Sequence, residues 1–492
     1  MSFCEVISCK RAFRCGLKDV STITFNPNER PLTMRRRKAD LSRRVNGEIR
    51  VEFTESGLTS YAGLELLTRY FRFRRLNALI RRHLAGASLR GDYGIVPMVR
   101  LLLGLVIVGG RRLSHVGFLD GDALLLRFCG LRGLPTYRTL GRWLKNFKGP
   151  SLERLRALNA EVISEIIGPL CLRTLTVDVD GSVVSTGLKV ERAFRGFNPH
   201  HRKVPSYYPI TAYLAETGHI LRVKNRSGNV HDGKASITFL RNLFCQIGTT
   251  MGKDYRLNFR MDGAFFSQEV LTLLGVRGAG YAIKVPFWKW LGLKALVRDR
   301  RRWKRVNRQV DCFEKHLFLA PWDMELRVVI YRKRVHHKSR KNYQLDLFDP
   351  DDGYYEYSAI ATNLSWNPHR LHSFMCGRGA HEKAIGQLRN DLAFDTVPTN
   401  HYGANSAWQQ IVALAHNLLV NFQIETGARR RNRSYKRTPL FELKSVRTLR
   451  FEVFNRAGRI VRPDGVTILR MSKHGLARNT FIRIADRLRK AA

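Results

Sequence analysis

From Leu172 onward the hydrophobic residues change from a helical spacing to an alternation of two, and the alternation recurs in five successive runs. These cover 173–180, 207–216, 219–226, 255–262 and 279–285, and helical stretches near 233–247 and 266–274 separate the last three. Alternation of period two puts every second side chain on one face of a strand. Short turns join antiparallel neighbours, whereas a parallel neighbour requires a long crossover such as a helix. Three strands in succession and then two helix-strand units therefore call for a mixed sheet with flanking helices. Pro205, Gly218, Gly228 and Gly252 fall between runs, where turn formers belong.

Two of these runs carry acids. Asp178 and Asp180 lie in Thr174-Leu-Thr-Val-Asp-Val-Asp-Gly-Ser182, and Asp262 ends Leu257-Asn-Phe-Arg-Met-Asp-Gly263. Residues two apart on a strand point the same way, so Asp178 and Asp180 share a face. If the two runs pair in one sheet, Asp180 and Asp262 converge at its edge. A buried carboxylate without cation or partner is costly, although Asp-Gly steps are also ordinary turn signals. The surrounding chain is strongly basic. Its 492 residues hold 86 Lys and Arg against 40 Asp and Glu, a formal net charge of +46. That balance points to nucleic acid more than to an anionic membrane surface. Carboxylates at strand ends in a chain that attracts polyanions suggest metal-assisted phosphodiester chemistry. Mg²⁺ suits such oxygen ligands, and two ions about 3.5–4 Å apart serve the attacking and leaving oxygens.

A third acid, Glu382, lies in Arg378-Gly-Ala-His-Glu-Lys-Ala-Ile-Gly-Gln-Leu-Arg389. At about 100° per residue, Arg378, Glu382 and Arg389 fall within about 40° of one another on a helix. Ala384, Ile385, Leu388 and Leu392 form an apolar stripe beside them. A surface ion pair is one account of this face; a metal-binding Glu with arginines on a nucleic acid backbone is the other.

The rest of the chain divides by composition. Residues 1–50 read as a basic, disordered arm, with Met34 an alternative start, and 51–165 as a helical DNA-binding region. Within it, 120–147 resembles a helix-turn-helix: Asp120 to Gly130, a Gly/Pro turn, then Tyr137 to Phe147 capped by Thr136 and carrying Arg138, Arg142 and Lys145. An ordinary helical hairpin is equally consistent with these residues. The alternating core occupies 166–286, a β-rich insertion 287–360, a second, helical part of the core 361–428 (with helices at 369–392 and 404–424), and a basic β-rich tail 429–492.

The order of the alternating runs is that of a ribonuclease H-like core, and the acids carry a closer resemblance. The set resembles the DDE transposases of bacterial insertion sequences, particularly the insertion sequence 1380 type within the insertion sequence 4-like group. That group carries a Tyr-x2-Arg-x3-Glu-x6-Lys signature, which falls on Met375, Arg378, Glu382 and Arg389: the Arg and Glu match, Lys becomes Arg, and the Tyr is missing. Gly196-Phe-Asn-Pro199, Ser206-Tyr-Tyr-Pro209, Glu216-Thr-Gly218 and Arg226-Ser-Gly-Asn229 with His231 also resemble the group, over roughly residues 48 to 475. The resemblance implies an α/β fold in which the ribonuclease H-like core is interrupted by the β-rich insertion and preceded by the all-α DNA-binding region. It implies Asp180, Asp262 and Glu382 as catalytic, metal-holding acids, with Asp178 the alternative to Asp180. It implies two Mg²⁺ ions, replaceable by Mn²⁺, and double-stranded DNA as partner, both transposon ends and target. Two protomers would act together on the DNA. Arg378, Arg389, Arg138 and Arg142 become the expected DNA contacts, and a tryptophan among 288, 290, 303 and 322 the expected stacker on a flipped base. The sequence does not choose among these four; Trp303 is also an expected DNA contact, in the middle of Arg298 to Arg308, where seven of eleven residues are Lys or Arg and phosphate contacts are expected. Arg429 to Arg437 is a second basic patch. The rivals are a ribonuclease H-like nuclease without strand transfer and a catalytically dead DNA-binding derivative.

Other signals exclude alternatives. Gly228-Asn-Val-His-Asp-Gly-Lys-Ala235 is one residue short of a P-loop and ends in Ala where Ser or Thr would meet Mg²⁺. His381-Glu382 lacks the second His of a zinc protease motif, and His200-His201 and His336-His337 read as exposed polar or phosphate-contacting residues and not as metal ligands. The eight cysteines form no Cys-x-x-Cys pair, Cys4, Cys9 and Cys15 being the closest group. Leu101 to Gly110 is too short to span a bilayer, and no apolar leader follows the basic N-terminus. The expected location is the cytoplasm, on the nucleoid.

Overall fold

Strand β1 (Thr174–Gly181) frames the molecule. Its Leu175, Val177 and Val179 are fully buried on one face, and Thr176, Asp178 and Asp180 share the other. The computed structural model describes residues 52, 54–87, 89, 91–196, 203–252, 255–335, 355–431 and 439–491. The N-terminal arm with Cys4, Cys9, Cys15 and Met34, the two His-His pairs and most of the Arg429–Arg437 patch lie outside the described residues.

Strands β2 (Ile210–Leu214) and β3 (His219–Lys224) follow β1 as antiparallel neighbours. Strand β4 (Arg256–Met261) then pairs with β1 in parallel, and β5 (Gly280–Val285) with β4. The parallel steps follow the helical stretches seen in the sequence, Asp232–Thr250 and Gln268–Val276. Their Phe239, Leu240, Leu243, Val270 and Leu274 join Leu175, Val177 and Val179 in one buried cluster.

The region after β5 departs from expectation. Its strands β6 (Lys304–Arg305), β7 (Val310–Leu319), β8 (Met324–Arg334) and β9 (Tyr355–Thr362) do not stand apart as an inserted module. Strand β9 runs antiparallel to β5 from Ala359 opposite Val285 to Thr362 opposite Ala282. One nine-stranded mixed sheet results, in the order β3-β2-β1-β4-β5-β9-β8-β7-β6. An alternating pattern states that a strand has two faces; it does not name the partner at its edge.

The helices before the sheet are α1 (Leu64–Phe73), α2 (Leu76–Leu84), α3 (Ile95–Val108), α4 (Ala123–Cys129), α5 (Tyr137–Lys145) and α6 (Gly149–Ile167). Asp122 caps α4, whose chain leaves through Gly130 at φ 75°, and Thr136 caps α5. With the two crossover helices taken as α7 (Asp232–Thr250) and α8 (Gln268–Val276), α9 (Leu293–Arg298) follows β5. The helix expected over 369–392 is broken at Gly377 into α10 (Pro368–Cys376) and α11 (Gly379–Leu392). The 24-residue α12 (Tyr402–Glu425) is buried almost throughout. It packs with α1, α3, α5, α11 and the apolar side of α6 in a single core, so no core separates the N-terminal helices from the rest. Helix α3 contains the longest apolar run and lies inside that core; among the described residues no helix is long and apolar enough to cross a membrane.

Helix α12 also closes an edge of the sheet. Strand β3 is terminal and would present free backbone groups. Asn417 accepts from Ile220 N (2.8 Å) and donates to Ile220 O (2.9 Å), while Gln410 donates to Val223 O (2.8 Å). From α6, Arg156 and Asn159 reach the same carbonyls of Val223 and Ile220. Buried amides on an otherwise apolar helix thus satisfy the strand.

The tail is less β-rich than its alternation implied. Gly458–Val461 and Ile468–Met471 do pair, and Leu58–Thr59 adds to them. Residues 446–454 instead turn helically, starting with α13 (Val446–Leu449), because Val446, Leu449, Val453 and Phe454 are buried at helical spacing. The chain ends in α14 (Gly475–Ala491), which buries Ile484, Ala485 and Leu488.

Candidate active site

The acids of β1 have different fates. Asp178 is wholly buried and held by Arg260, its register partner on β4, through Nε to Oδ1 at 2.5 Å and Nη2 to Oδ2 at 2.7 Å. Burial pushes the Asp178 carboxyl up and the bidentate guanidinium pulls against it. Arg260 Nη1 also donates to Phe374 O at 2.7 Å, and its guanidinium lies 5.0 Å from the Phe374 ring. This pair therefore ties two central strands to α10 from below.

Asp180 is two residues further on, where the strand ends. Its Oδ1 accepts from Gly181 N, and its Oδ2 takes a 2.7 Å hydrogen bond from Arg378 Nη2. Asp262 immediately follows β4: its Oδ1 accepts from Ala264 N at 3.1 Å, and its Oδ2 lies 3.8 Å from the same Arg378 nitrogen. One guanidinium thus bridges the two acids that parallel pairing brings together. Burial is the main reason the Asp180 carboxyl is pushed up to about 6; Arg378 opposes it and the Asp262 charge adds to it. Asp262 is raised too, again chiefly by burial.

Arg378 stands at the N-terminus of α11, so Glu382 is one turn further along the same helix. Glu382 is exposed, and its charge is among those raising Asp178. The residue before it anchors the helix. His381 is buried, bonded to the Thr211 hydroxyl (3.1 Å) and stacked on Tyr213 with ring centres 5.2 Å apart. Burial pulls its pKa down to about 3, so the ring is neutral. Among the described residues no three His, Cys, Asp or Glu side chains gather closely enough to hold a metal, so Glu382 stands off from the Asp180–Asp262 pair. The pair itself fits a hard cation: two carboxylates turn Oδ2 atoms towards one cationic group, in a setting that raises both.

Other expected residues fall elsewhere. Arg378 is not offered to solvent for a DNA phosphate; it is buried between the acids, which compete for it. Arg389 is half-buried on α11, and Met375, at the signature's Tyr position, packs against an apolar cluster. Trp303 is taken up by its own chain. Its Nε1 donates to Arg300 O, its ring meets Phe313 at 4.9 Å, and Arg332 covers it at 4.5 Å. Trp288 and Trp290 are instead 40% and 45% exposed and stack at 5.9 Å, with Trp322 and Phe266 beside them. Phe266, four residues beyond Asp262 in the chain, joins this aromatic group to the segment that follows β4. Arg138 and Arg142 are exposed on α5.

Sequence reasoning missed a fourth acid. Asp232, set aside with the failed P-loop, is buried at the start of α7, paired with Arg226 (2.5 Å) and bonded by the Tyr208 hydroxyl (2.8 Å). Its charge raises both Asp180 and Asp262. Tyr208 packs over Gly181, where any side chain would meet its ring within 3 Å, so the Gly after Asp180 is a packing requirement as well as a turn. Only the pattern of an acid opening a helix, His231-Asp232, hinted at this role.

The chain resembles a solved structure, the cryo-EM structure of the piggyBac transposase synaptic complex with hairpin DNA, at 11% identity and a TM-score of 0.39, covering 89% of this chain and 84% of that one. No curated protein matches it. A family model described as transposase DDE domain, group 1, matches residues 41–492. That match takes in both strand-end acids, Arg378 and Glu382, and nearly all of the chain: it belongs to the DDE transposase family and is a transposase enzyme.

Proposed function

We propose that this chain is the transposase of a bacterial insertion sequence of the 1380 type, cutting DNA at the element's inverted repeats and joining the freed 3′-hydroxyl to target DNA. The observation that carries the reading is the pair Asp180 and Asp262, brought side by side by parallel strands and bridged by Arg378 from the helix bearing Glu382. The sheet order β3-β2-β1-β4-β5, with helices crossing before β4 and β5, supports a ribonuclease H-like core. Asp180, Asp262 and Glu382 would hold two Mg²⁺ ions. Such ions activate the attacking oxygen and stabilise the leaving one. The chain's own part is positional: the Asp178–Arg260 pair and His381 fix the strands and α11, and Asp232 and Tyr208 pack the floor beside Asp180. Two copies of the chain would bring two DNA ends together.

The test is an end-joining assay: purified protein, Mg²⁺, and a duplex carrying the element's terminal repeat with a free 3′-hydroxyl. Joined product is expected with the wild type. Cleavage without joining would favour a nuclease, and neither activity a catalytically dead derivative.

The base-stacking role is reassigned to the exposed pair Trp288 and Trp290. Base–aromatic stacking contributes about 1–3 kcal/mol, so Trp288→Ala should weaken binding of an unpaired end roughly 5- to 150-fold. Trp303→Ala should leave that binding unchanged while lowering the melting temperature. The reverse ranking would restore Trp303.

A further inference from the structure

We infer that the concave face between α5 and residues 396–400 is a track for one strand's phosphate backbone of duplex DNA, and not a base-reading helix surface. The inference rests on the transposase reading and deepens it. One wall is the polar side of α5, with Arg138, Arg142 and Lys145, joined by Arg112. The other is the segment ending in Thr399 and Asn400. The groove holds about 1050 Å³, and none of its lining residues is acidic.

The four cations are exposed, and none forms an ion pair among the described residues. Among the described residues Arg142 reaches only the Thr139 hydroxyl of its own helix, at 3.5 Å, and Arg138 only its neighbour Tyr137, at 3.3 Å from the hydroxyl and 5.8 Å from the ring centre. Two acids that flank the groove's far wall, Asp395 before it and Glu191 bonded to Asn400, are already engaged among the described residues. Asp395 pairs with Arg111, and Glu191 accepts from Tyr402 N at the start of α12. Four uncompensated cations in a concavity suit a polyanion, and arginine forks match phosphate oxygens.

The walls are held in fixed relation. Gly403, at the start of α12, lets the backbone of that helix sit directly on the end of α5; a Cβ there would lie 2.2 Å from Phe147 O. The groove is also connected to the acids. The chain leaving Asp180 reaches its far wall at Glu191, whose N–H bonds Asn400 O at 2.9 Å. A helix that reads bases must project into a major groove about 12 Å wide. The basic side of α5 faces an opposing wall, so it is placed to grip phosphates. Contacts of that kind position the DNA without reading its sequence.

The test uses the full chain and fluorescent duplexes, one with the terminal repeat and one of scrambled sequence, titrated across salt concentrations. The groove variant is R138A/R142A/K145A. The control removes the same charge from the exposed C-terminal hairpin region, R462A/R470A/K473A. Thermal melting should match the wild type for both, since all six side chains are exposed. The groove variant should bind both duplexes more weakly and show a log–log salt slope shallower by about three, one per lost phosphate contact. The control should change the slope less. A groove variant that binds like the wild type, or no worse than the control, overturns the inference. So does a loss confined to the terminal-repeat duplex, which would make α5 a base reader. A wild-type protein that binds neither duplex would instead sink the proposed function, which keeps the two failures apart.

Discussion

Arg260→Ala is expected to destabilise the protein by about 3–5 kcal/mol, the range for removing one partner of a buried ion pair. Both side chains of the Asp178–Arg260 pair have no exposure at all. Removing the guanidinium strands a carboxylate between the two central strands, where burial already pushes its pKa up. It also frees Phe374 O, and with it α10, which leads into the helix carrying Arg378 and Glu382. Asp178→Ala should cost a comparable amount. The double variant Asp178→Leu/Arg260→Met, apolar and close in volume, should cost far less than the sum, because no charge is then left alone. Denaturant unfolding of the wild type, Asp178→Leu, Arg260→Met and their double variant yields the coupling energy. Additive losses would show that the pair is not a unit. The same series addresses chemistry: if Asp178 only supports the fold, the double variant that remains folded keeps part of its DNA cleavage.

This pair also shows how far the sequence could be read. The alternation of 174–181 places Asp178 and Asp180 on one face, and the structure keeps them there. Nothing local separates a buried structural acid from one at the strand end. The difference comes from Arg260, 82 residues away, whose side chain becomes a partner only when β4 lies beside β1 in parallel register. Glu382 was legible as a helical residue, since its neighbours Ala384 and Leu388 repeat at helical spacing and are buried. Arg378 was legible on that face too, but its charge suggested DNA; the two aspartates claim it through contacts that no spacing rule contains. Trp303 was misplaced for a similar reason. Its basic neighbours implied an open surface, and Phe313 and Arg332, on β7 and β8, cover it. Asp232 was hidden by a motif that failed for another function. What could be read was periodic. What could not was pairing between distant segments, including the join of β9 to β5.

Asp180→Asn, Asp262→Asn and Glu382→Gln should each reduce Mg²⁺-dependent DNA cleavage by about a hundred- to a thousandfold, the scale on which removing one group aimed at developing charge slows an enzyme. Duplex binding should survive, because the groove cations lie elsewhere. The structure adds a distinction among the three. Asp180 and Asp262 share Arg378, burial raises both, and the Asp262 charge raises Asp180 further, so neutralising either relieves an unfavourable buried charge; these two variants should be as stable as the wild type without metal, or more so. Glu382 is exposed and outside that pair, so Glu382→Gln should leave stability unchanged. The pH dependence follows from Asp180. Its folded-state pKa is raised to about 6 from an ordinary 3.8. The metal-free fold therefore favours the protonated acid, and the stability this contributes is present at low pH and lost as pH rises through about 6. Cation binding runs the other way, since it requires the carboxylate: metal affinity should climb by up to about tenfold per pH unit below 6 and level off above it. Asp180→Asn should remove both dependences together. Isothermal titration with Mn²⁺ and thermal melting across pH 5 to 8 measure the two. A variant that loses cleavage yet keeps the wild-type pH profile of Mn²⁺ binding would move the titrating group to Asp262 and leave Asp180 without its assigned role.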